Sequence, residues 1–332
     1  MKKSLLAILA TVLAVLLIFT WWNQSVKSIS KEAAPQNFLI LKGSSATQIA
    51  NKLKKEELIR SSLAFKFYVQ LTGRAKKIQA GEYSLKPSEN LFLIVEELLK
   101  GPQEVWVTIP EGLRREEIAE KFVDGLLKKD KEAEVFRSEF LSLTKNKEGY
   151  LFPDTYLFPK TATATNIVNV LESTFDKRIV RYEDDIAGSD LTSNQIVTLA
   201  SLIERETITN EERPIVAGIL IKRAEADWPL QVDATVQYAL ASAKCRNQTT
   251  DCDWWPRPLS KDDIGISSPL NTYKYPGFPP SPISNPGLSS LSAAIFPEES
   301  DYWFYLHDSK GEIHYAETIE EHNRNVSKYL GK

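Results

Sequence analysis

The residues Val105-Trp-Val-Thr-Ile109-Pro-Glu-Gly112-Leu-Arg-Arg-Glu-Glu-Ile118-Ala119-Glu-Lys-Phe122 pass from one hydrophobic period to another. Up to Ile109 apolar side chains alternate, as in a strand; beyond Gly112, Ile118, Ala119 and Phe122 fall on one face of a helix. The same arrangement stands earlier, where Phe38-Leu-Ile-Leu41 precedes Gly43 and a helix carrying Ile49, Ala50 and Leu53. Gly43 and Gly112, Ile49 and Ile118, Ala50 and Ala119, Lys52 and Lys121, and Leu53 and Phe122 all share the offset that takes 43 to 112. Five matches at one offset predict a duplicated strand–turn–helix unit, although the pattern is also a common local one. Between the copies, Ser61 to Leu71 reads as a helix with a serine cap and Gln79 to Leu85 as a strand. Ser88 to Lys100 reads as a further helix, closed by Gly101-Pro102. Strands and helices mixed in this way predict an α+β fold.

The chain has 332 residues, 42% of them hydrophobic and 26% charged, which is ordinary globular composition and argues against disorder or a polytopic membrane protein. The length allows two domains and a sizeable core. A net charge of −3, evenly spread, does not suit a nucleic-acid binder, so none is expected as a partner. Seven Trp and 12 Tyr lean towards an uncharged or mildly charged ligand.

The N-terminus predicts a compartment. Lys2-Lys3 precedes 19 uncharged residues, Ser4 to Trp22, close to the ~20 that cross a bilayer as a helix. A cleaved signal peptide competes, but its apolar region would be shorter and end in a small-x-small site. The run here ends in Trp21-Trp22, an aromatic pair suited to the membrane–water boundary, which favours an uncleaved single-pass anchor. Lys2 and Lys3 are expected to keep the N-terminus in the cytoplasm, with everything after about residue 25 extracytoplasmic. Residues 1–22 are thus expected as cytoplasmic start and anchor, and the polar, aperiodic residues 23–36 as a linker. Cys245 and Cys252, in a polar loop, suit a local disulfide in an oxidising exterior. A zinc site is the alternative, but this spacing without a nearby His is poor for it. The pair reads as a loop staple, His307, His314 and His322 read as structural, and neither metal nor cofactor is implied.

From residue 146 prolines cluster among Tyr, Trp and Asn, and long ordered loops of this kind are where function concentrates. Thr192-Ser-Asn-Gln195 fits a capping box ahead of the helix Ile196-Val-Thr-Leu-Ala-Ser-Leu-Ile-Glu204-Arg-Glu206. Helical spacing predicts a buried stripe of Ile196, Leu199, Ala200 and Ile203, with Arg205 nearly opposite and the two glutamates on either flank. A cleft beside Val197 and Ala200 would half-desolvate Glu204 and favour the protonated carboxyl that a general acid needs. A solvated ion pair at the helix end is the competing reading.

Five blocks in order carry a family likeness: Glu148-Gly-Tyr-Leu-Phe-Pro-Asp-Thr-Tyr156, Leu199-Ala-Ser-Leu-Ile-Glu-Arg-Glu-Thr207, Leu230-Gln-Val-Asp-Ala-Thr-Val-Gln-Tyr238, Asn271 to Gly287 with its proline run, and Glu320-Glu-His-Asn323. Together they resemble the YceG-like family of endolytic murein (peptidoglycan) transglycosylases, over nearly the whole chain. The strand–helix units between residues 37 and 145 resemble LysM-like carbohydrate-binding modules, leaving 146–332 as a mixed α/β catalytic domain. The resemblance implies an inner-membrane enzyme that cuts nascent glycan strands internally, with peptidoglycan strands as substrate and peptidoglycan synthases as candidate partners. By motif it places the catalytic carboxyl on Glu204 in preference to Glu206. Tyr150, Tyr156 and Tyr273 offer faces for sugar rings, against core and turn roles. Asp154, Asp233, Thr235, Asn271 and Asn285 are candidate substrate contacts, against roles in capping and holding loops. Ala234 stands where the family usually has Pro and Ser281 where Gly is common, which touches loop geometry more than chemistry. The segment near 245–258 looks like an insertion and has no assigned role. A hydrolase pairing Glu204 with Asp154 or Asp233, and a wall-binding scaffold without catalysis, remain the alternatives.

Overall fold

A computed structural model describes residues 2–245 and 252–331, with the side chains of residues 2–8 and 10 outside the description. Met1, the side chains of Lys2 and Lys3 on which the cytoplasmic flank rests, and residues 246–251 of the segment near 245–258 therefore lie outside the description. Two compact units divide the chain: residues 1–107 with 156–161, and residues 108–155 with 162–332. The division falls well before the composition change near residue 146, because that change marks proline-rich loops and not a break in packing.

In the first unit, α1 (Lys2–Ser25) leads to β1 (Gln36–Ile40), α2 (Ala46–Lys55), α3 (Ser62–Leu71), β2 (Gly81–Leu85), α4 (Leu91–Lys100), β3 (Glu104–Thr108) and, later in the chain, β4 (Thr155–Pro159). The strands form one sheet in the order β1-β2-β3-β4. β1 and β2 run antiparallel with Phe38 opposite Tyr83. Ser45 caps α2 in a full capping box with Gln48, and Ser61 and Asn90 cap α3 and α4. Phe38, Ile49, Leu53, Phe65, Val69, Leu85, Ile94 and Leu98 form its core, each 4% exposed or less. Among the described residues no helix is long and apolar enough to cross a membrane.

The duplicated unit is present locally. Gly43 and Gly112 both take left-handed backbone (φ 83° and 76°), which favours glycine, between a strand and an amphipathic helix. Ile49, Ala50 and Leu53 are buried, and so are their counterparts Ile118, Ala119 and Phe122. Chain order repeats as well, β1-α2-α3-β2 and then β3, two helices and β4.

The second unit comprises α5 (Arg115–Gly125), α6 (Asp130–Leu143), α7 (Ala164–Ile179), α8 (Glu183–Ala187), α9 (Ser193–Glu206), α10 (Glu212–Glu225), α11 (Asp233–Lys244), α12 (Lys261–Ile264), α13 (Leu288–Ile295), the hairpin β5 (Phe304–His307) and β6 (Ile313–Ala316), and α14 (Ile319–Asn325). The predicted capping box at Thr192 and Gln195 starts α9. Every residue of α9 from Ile196 to Ile203 is buried, so α9 is a central helix and not the one-sided helix that its apolar stripe suggested. α10, α11 and α13 pack around it. Thr198 and Ser201, polar on the wheel, are buried because other elements close over them: Ser201 Oγ donates to Thr198 O and accepts from Ile283 N, while Ser284 Oγ donates to Ser201 O.

Candidate functional site

The last turn of α9 delivers Glu204, Arg205 and Glu206 to different surroundings. The Glu204 side chain is 7% exposed. One carboxylate oxygen, Oε2, accepts from the backbone N–H of Gly287 at 2.9 Å and from Ser290 Oγ at 2.8 Å. Gly287 caps α13, so Oε2 meets the N-terminal end of that helix, where unpaired N–H groups favour an acceptor. The other oxygen, Oε1, faces Arg213 Nη2 at 3.4 Å. The ion pair is therefore with Arg213 of α10, and not with its neighbour Arg205.

Two glycines let the chain approach this carboxyl. A Cβ on Gly112 would stand 3.4 Å from Glu204 Cγ, and one on Gly287 would stand 1.9 Å from an oxygen of Glu111. Glu111 thus lies against the residue that donates to Glu204. Burial and the charge of Glu204 push the Glu111 carboxyl up, while Arg213 pulls it down. Single-sequence reading missed Glu111, Arg213, Gly287 and Ser290. Their only local signal was Pro110-Glu111-Gly112 in the repeated turn and the proline run ending at Gly287.

Asn285 fixes the loop that carries Gly287. Its Oδ1 accepts from Gly149 N and Leu151 N, both at 2.9 Å, and its Nδ2 donates to Leu113 O and to Glu148 Oε1. Its backbone exchanges hydrogen bonds with Gly112 and Leu113. All the side chain's polar positions are thus taken up within the protein, at 1% exposure. Glu148 is buried too and also accepts from Arg115 N and Tyr238 Oη. Burial and the charge of Glu116 push its carboxyl up, against Arg114, the Tyr238 hydroxyl and Arg115.

Glu206 belongs to a second cluster. Tyr305 Oη donates to its Oε2 at 3.0 Å. Burial pushes this carboxyl up to about 6; the Tyr305 hydroxyl opposes the shift, Asp233 adds to it, and His307 and Arg257 oppose it. Asp233 accepts from Tyr273 Oη at 2.5 Å, so these two candidates gather on the Glu206 side. Thr235 is buried, with its hydroxyl on Val232 O and against Thr272 Oγ1. Asn271 donates to Ile264 O and Ile266 O and holds that loop. Asp154 pairs with Arg178 at 2.8 Å. Tyr150 packs edge-on against Phe175 and, with Val197, lines a cavity of 270 Å³. Glu204 does not line that cavity, nor those of 420 and 480 Å³ beside α10 and α8. Tyr156 lies in the first unit, buried on β4.

Trp255, in the segment near 245–258, covers Arg205. Cys245 and Cys252 are joined by a disulfide, and beyond it Trp255 stacks on the Arg205 guanidinium at 3.7 Å while donating from Nε1 to Glu117. Trp254 and Tyr238 flank Arg114. Arg205, expected to point to solvent, is largely desolvated, and burial lowers its basicity. At the β5–β6 turn Asp308, Glu312 and His314 bring one donor atom each within 4.8 Å of one another, and Asp308 closes the turn by accepting from Lys310 N and Glu312 N.

Around Glu204, then, stand one largely buried carboxyl with one oxygen pinned, a second carboxyl beside it and one arginine, the groups of a candidate acid–base site. Residues 38–328 match the YceG-like family, and the chain belongs to that family. It is 32% identical to the endolytic murein transglycosylase of Bacillus subtilis (strain 168), over 94% of this chain and 90% of that one. It is 30% identical to the endolytic murein transglycosylase of Streptococcus pneumoniae serotype 2 (strain D39), over 88% of this chain but 58% of that longer protein. A crystal structure of a YceG-like protein from Listeria monocytogenes, 32% identical, superposes with a TM-score of 0.57 and covers 89% of this chain and 99% of that one.

Proposed function

We propose that the protein is an endolytic peptidoglycan transglycosylase, a carbon–oxygen lyase that cuts the bond from N-acetylmuramic acid to N-acetylglucosamine within glycan strands. The observation that carries this reading is the Glu204 carboxyl, held by Gly287 and Ser290 through Oε2 alone. Oε1, with only the long contact to Arg213, is the working oxygen. Protonated there, Glu204 delivers its hydrogen to the leaving glycosidic oxygen as positive charge builds on the muramyl ring. The resulting carboxylate then takes the proton from the muramyl 6-hydroxyl as that oxygen closes on C1, leaving a 1,6-anhydro end. The nucleophile belongs to the substrate and is already held beside its target, so no carboxylate is needed to activate water. Glu111, beside Glu204, adds negative charge where the sugar becomes cationic.

A hydrolase would need a partner carboxylate for Glu204. Asp154 is engaged by Arg178 and Asp233 by Tyr273, which leaves Glu111 as the carboxyl placed for that role. Mass spectrometry of digested glycan separates the two: a hydrolase adds the mass of water to each cut and the transglycosylase does not. Comparing the full chain with Glu204→Gln on intact peptidoglycan tests the enzyme itself. Release by the variant equal to that of the parent chain would remove Glu204 as the acid, and binding without release by either would leave only a wall-binding scaffold.

In this reading α1 anchors the protein in the inner membrane, with its N-terminus in the cytoplasm and the remainder outside. The described apolar side chains from Leu9 to Phe19, 50–67% exposed where exposure is greatest, find no protein cover, as expected of a helix that faces lipid. The β1-α2-α3-β2 unit, two antiparallel strands around two helices, supports the LysM-like reading. Peptidoglycan synthases are the partners such an enzyme would meet.

A further inference from the structure

The first unit carries a second apolar surface that its core does not use. On α3, Ala64, Phe65 and Val69 are buried, whereas Leu63, Phe67 and Leu71 are 65%, 57% and 74% exposed. The exposed three are spaced i, i+4, i+8 and so form one stripe along the helix. Leu93 on α4 is exposed as well. Scattered apolar residues are common on protein surfaces, but a continuous stripe next to another unpartnered apolar surface calls for an occupant.

That neighbouring surface is α1. Trp22, at its outer end, meets the Phe67 ring edge-on at 5.8 Å and the Phe92 ring at 6.5 Å. Phe92 in turn packs on Tyr68 at 4.9 Å. Half-buried Trp22 therefore joins the exposed apolar side chains of α1 to exposed Phe67 of α3. The joint is also fixed. Leu91 N donates to Val26 O, Ile29 N and Ser30 N donate to Pro87 O, and Arg60 donates to Ser28 O and Ile29 O. Exposed Lys76 and Lys77 follow closely after Leu71 and are cations of the kind that anionic headgroups attract.

We propose that Leu63, Phe67 and Leu71 of α3, with Leu93 of α4, rest on the outer face of the bilayer that α1 enters, so that this unit is seated on lipid beside its own anchor. The proposal rests on the membrane reading of α1. With Trp22 at the boundary, the ring it touches, Phe67, lies at the same level, and the remainder of the stripe follows. An apolar face of this kind sinks only as far as the headgroup–acyl boundary.

The test uses the full chain in vesicles of phosphatidylethanolamine and phosphatidylglycerol. Single cysteines at Leu16, Lys54, Phe67 or Leu71 carry a spin label; the disulfide keeps Cys245 and Cys252 from labelling. Collision with oxygen reports lipid and collision with a water-soluble nickel chelate reports water. At 67 and 71 oxygen should prevail, as at 16, while exposed Lys54 on α2 should favour nickel. Nickel prevailing at 67 and 71, with 16 in lipid, overturns the seating and leaves the anchor intact. Nickel prevailing at 16 overturns the anchor and the seating with it. Dipolar broadening between labels at 67 of two chains overturns the proposal in favour of self-association.

Discussion

The family motif singled out Glu204, which the helical wheel alone did not separate from Glu206. The wheel assumes one buried face, whereas the loop at 283–287 and Trp255 close over others. Glu111, Gly287 and Ser290 reach the site from far along the chain, and no local period records such an approach. Replacing Glu204 by Gln should lower the release of anhydro-ended fragments by about 10²–10⁴-fold, the usual span for a lost acid–base group, with the melting temperature retained as the check on folding. Glu206 makes a prediction about pH. Its carboxyl is raised to about 6, above the ~4.3 of an unfolded chain, so the fold binds its proton more tightly than the unfolded state does. That contribution is fully present below about pH 4.3 and is lost as pH rises through about 6, by roughly 2 kcal/mol at most. Urea titrations of Glu206→Gln, which keeps an acceptor for Tyr305, should match wild type near pH 4 and exceed it at pH 8. A constant difference at both values would remove the assignment.

Among the elements, the repeated strand–turn–helix was readable because it is written locally, in a glycine with left-handed backbone and three apolar positions of one helical face. The clamp at Asn285 was not readable, since its partners come from residues 113, 148, 149 and 151. Asn285 was read as a candidate substrate contact, but its geometry makes it the bolt between the Gly112 turn and the start of α13. Asn285→Ala leaves the Gly149 and Leu151 N–H groups without their acceptor and takes a donor from the buried Glu148 carboxyl, so it should cost about 3 kcal/mol in urea unfolding. Activity should fall further than the stability loss alone explains, because Gly287 loses its register against Glu204. The disulfide was within reach of sequence because both cysteines lie in one loop. Replacing both with Ser should cost about 2 kcal/mol through the closed loop of the unfolded chain, read as a lower melting temperature.

For the whole molecule, composition separated an ordinary globular chain from its apolar start but does not record where the compact units divide. Proline and aromatic density follow loops, while the compact units follow contacts that composition does not record. The anchor reading predicts that the full chain stays with the membrane pellet after a carbonate wash; release into the supernatant would contradict it. The hydrogen bonds between residues 26–30 and the turn at Pro87 have a further effect. They make the link to α1 a bracket where a free linker would have been a leash. With α1 held in lipid, as proposed, a bracket has no reach, so this unit would work only within its own height of the bilayer.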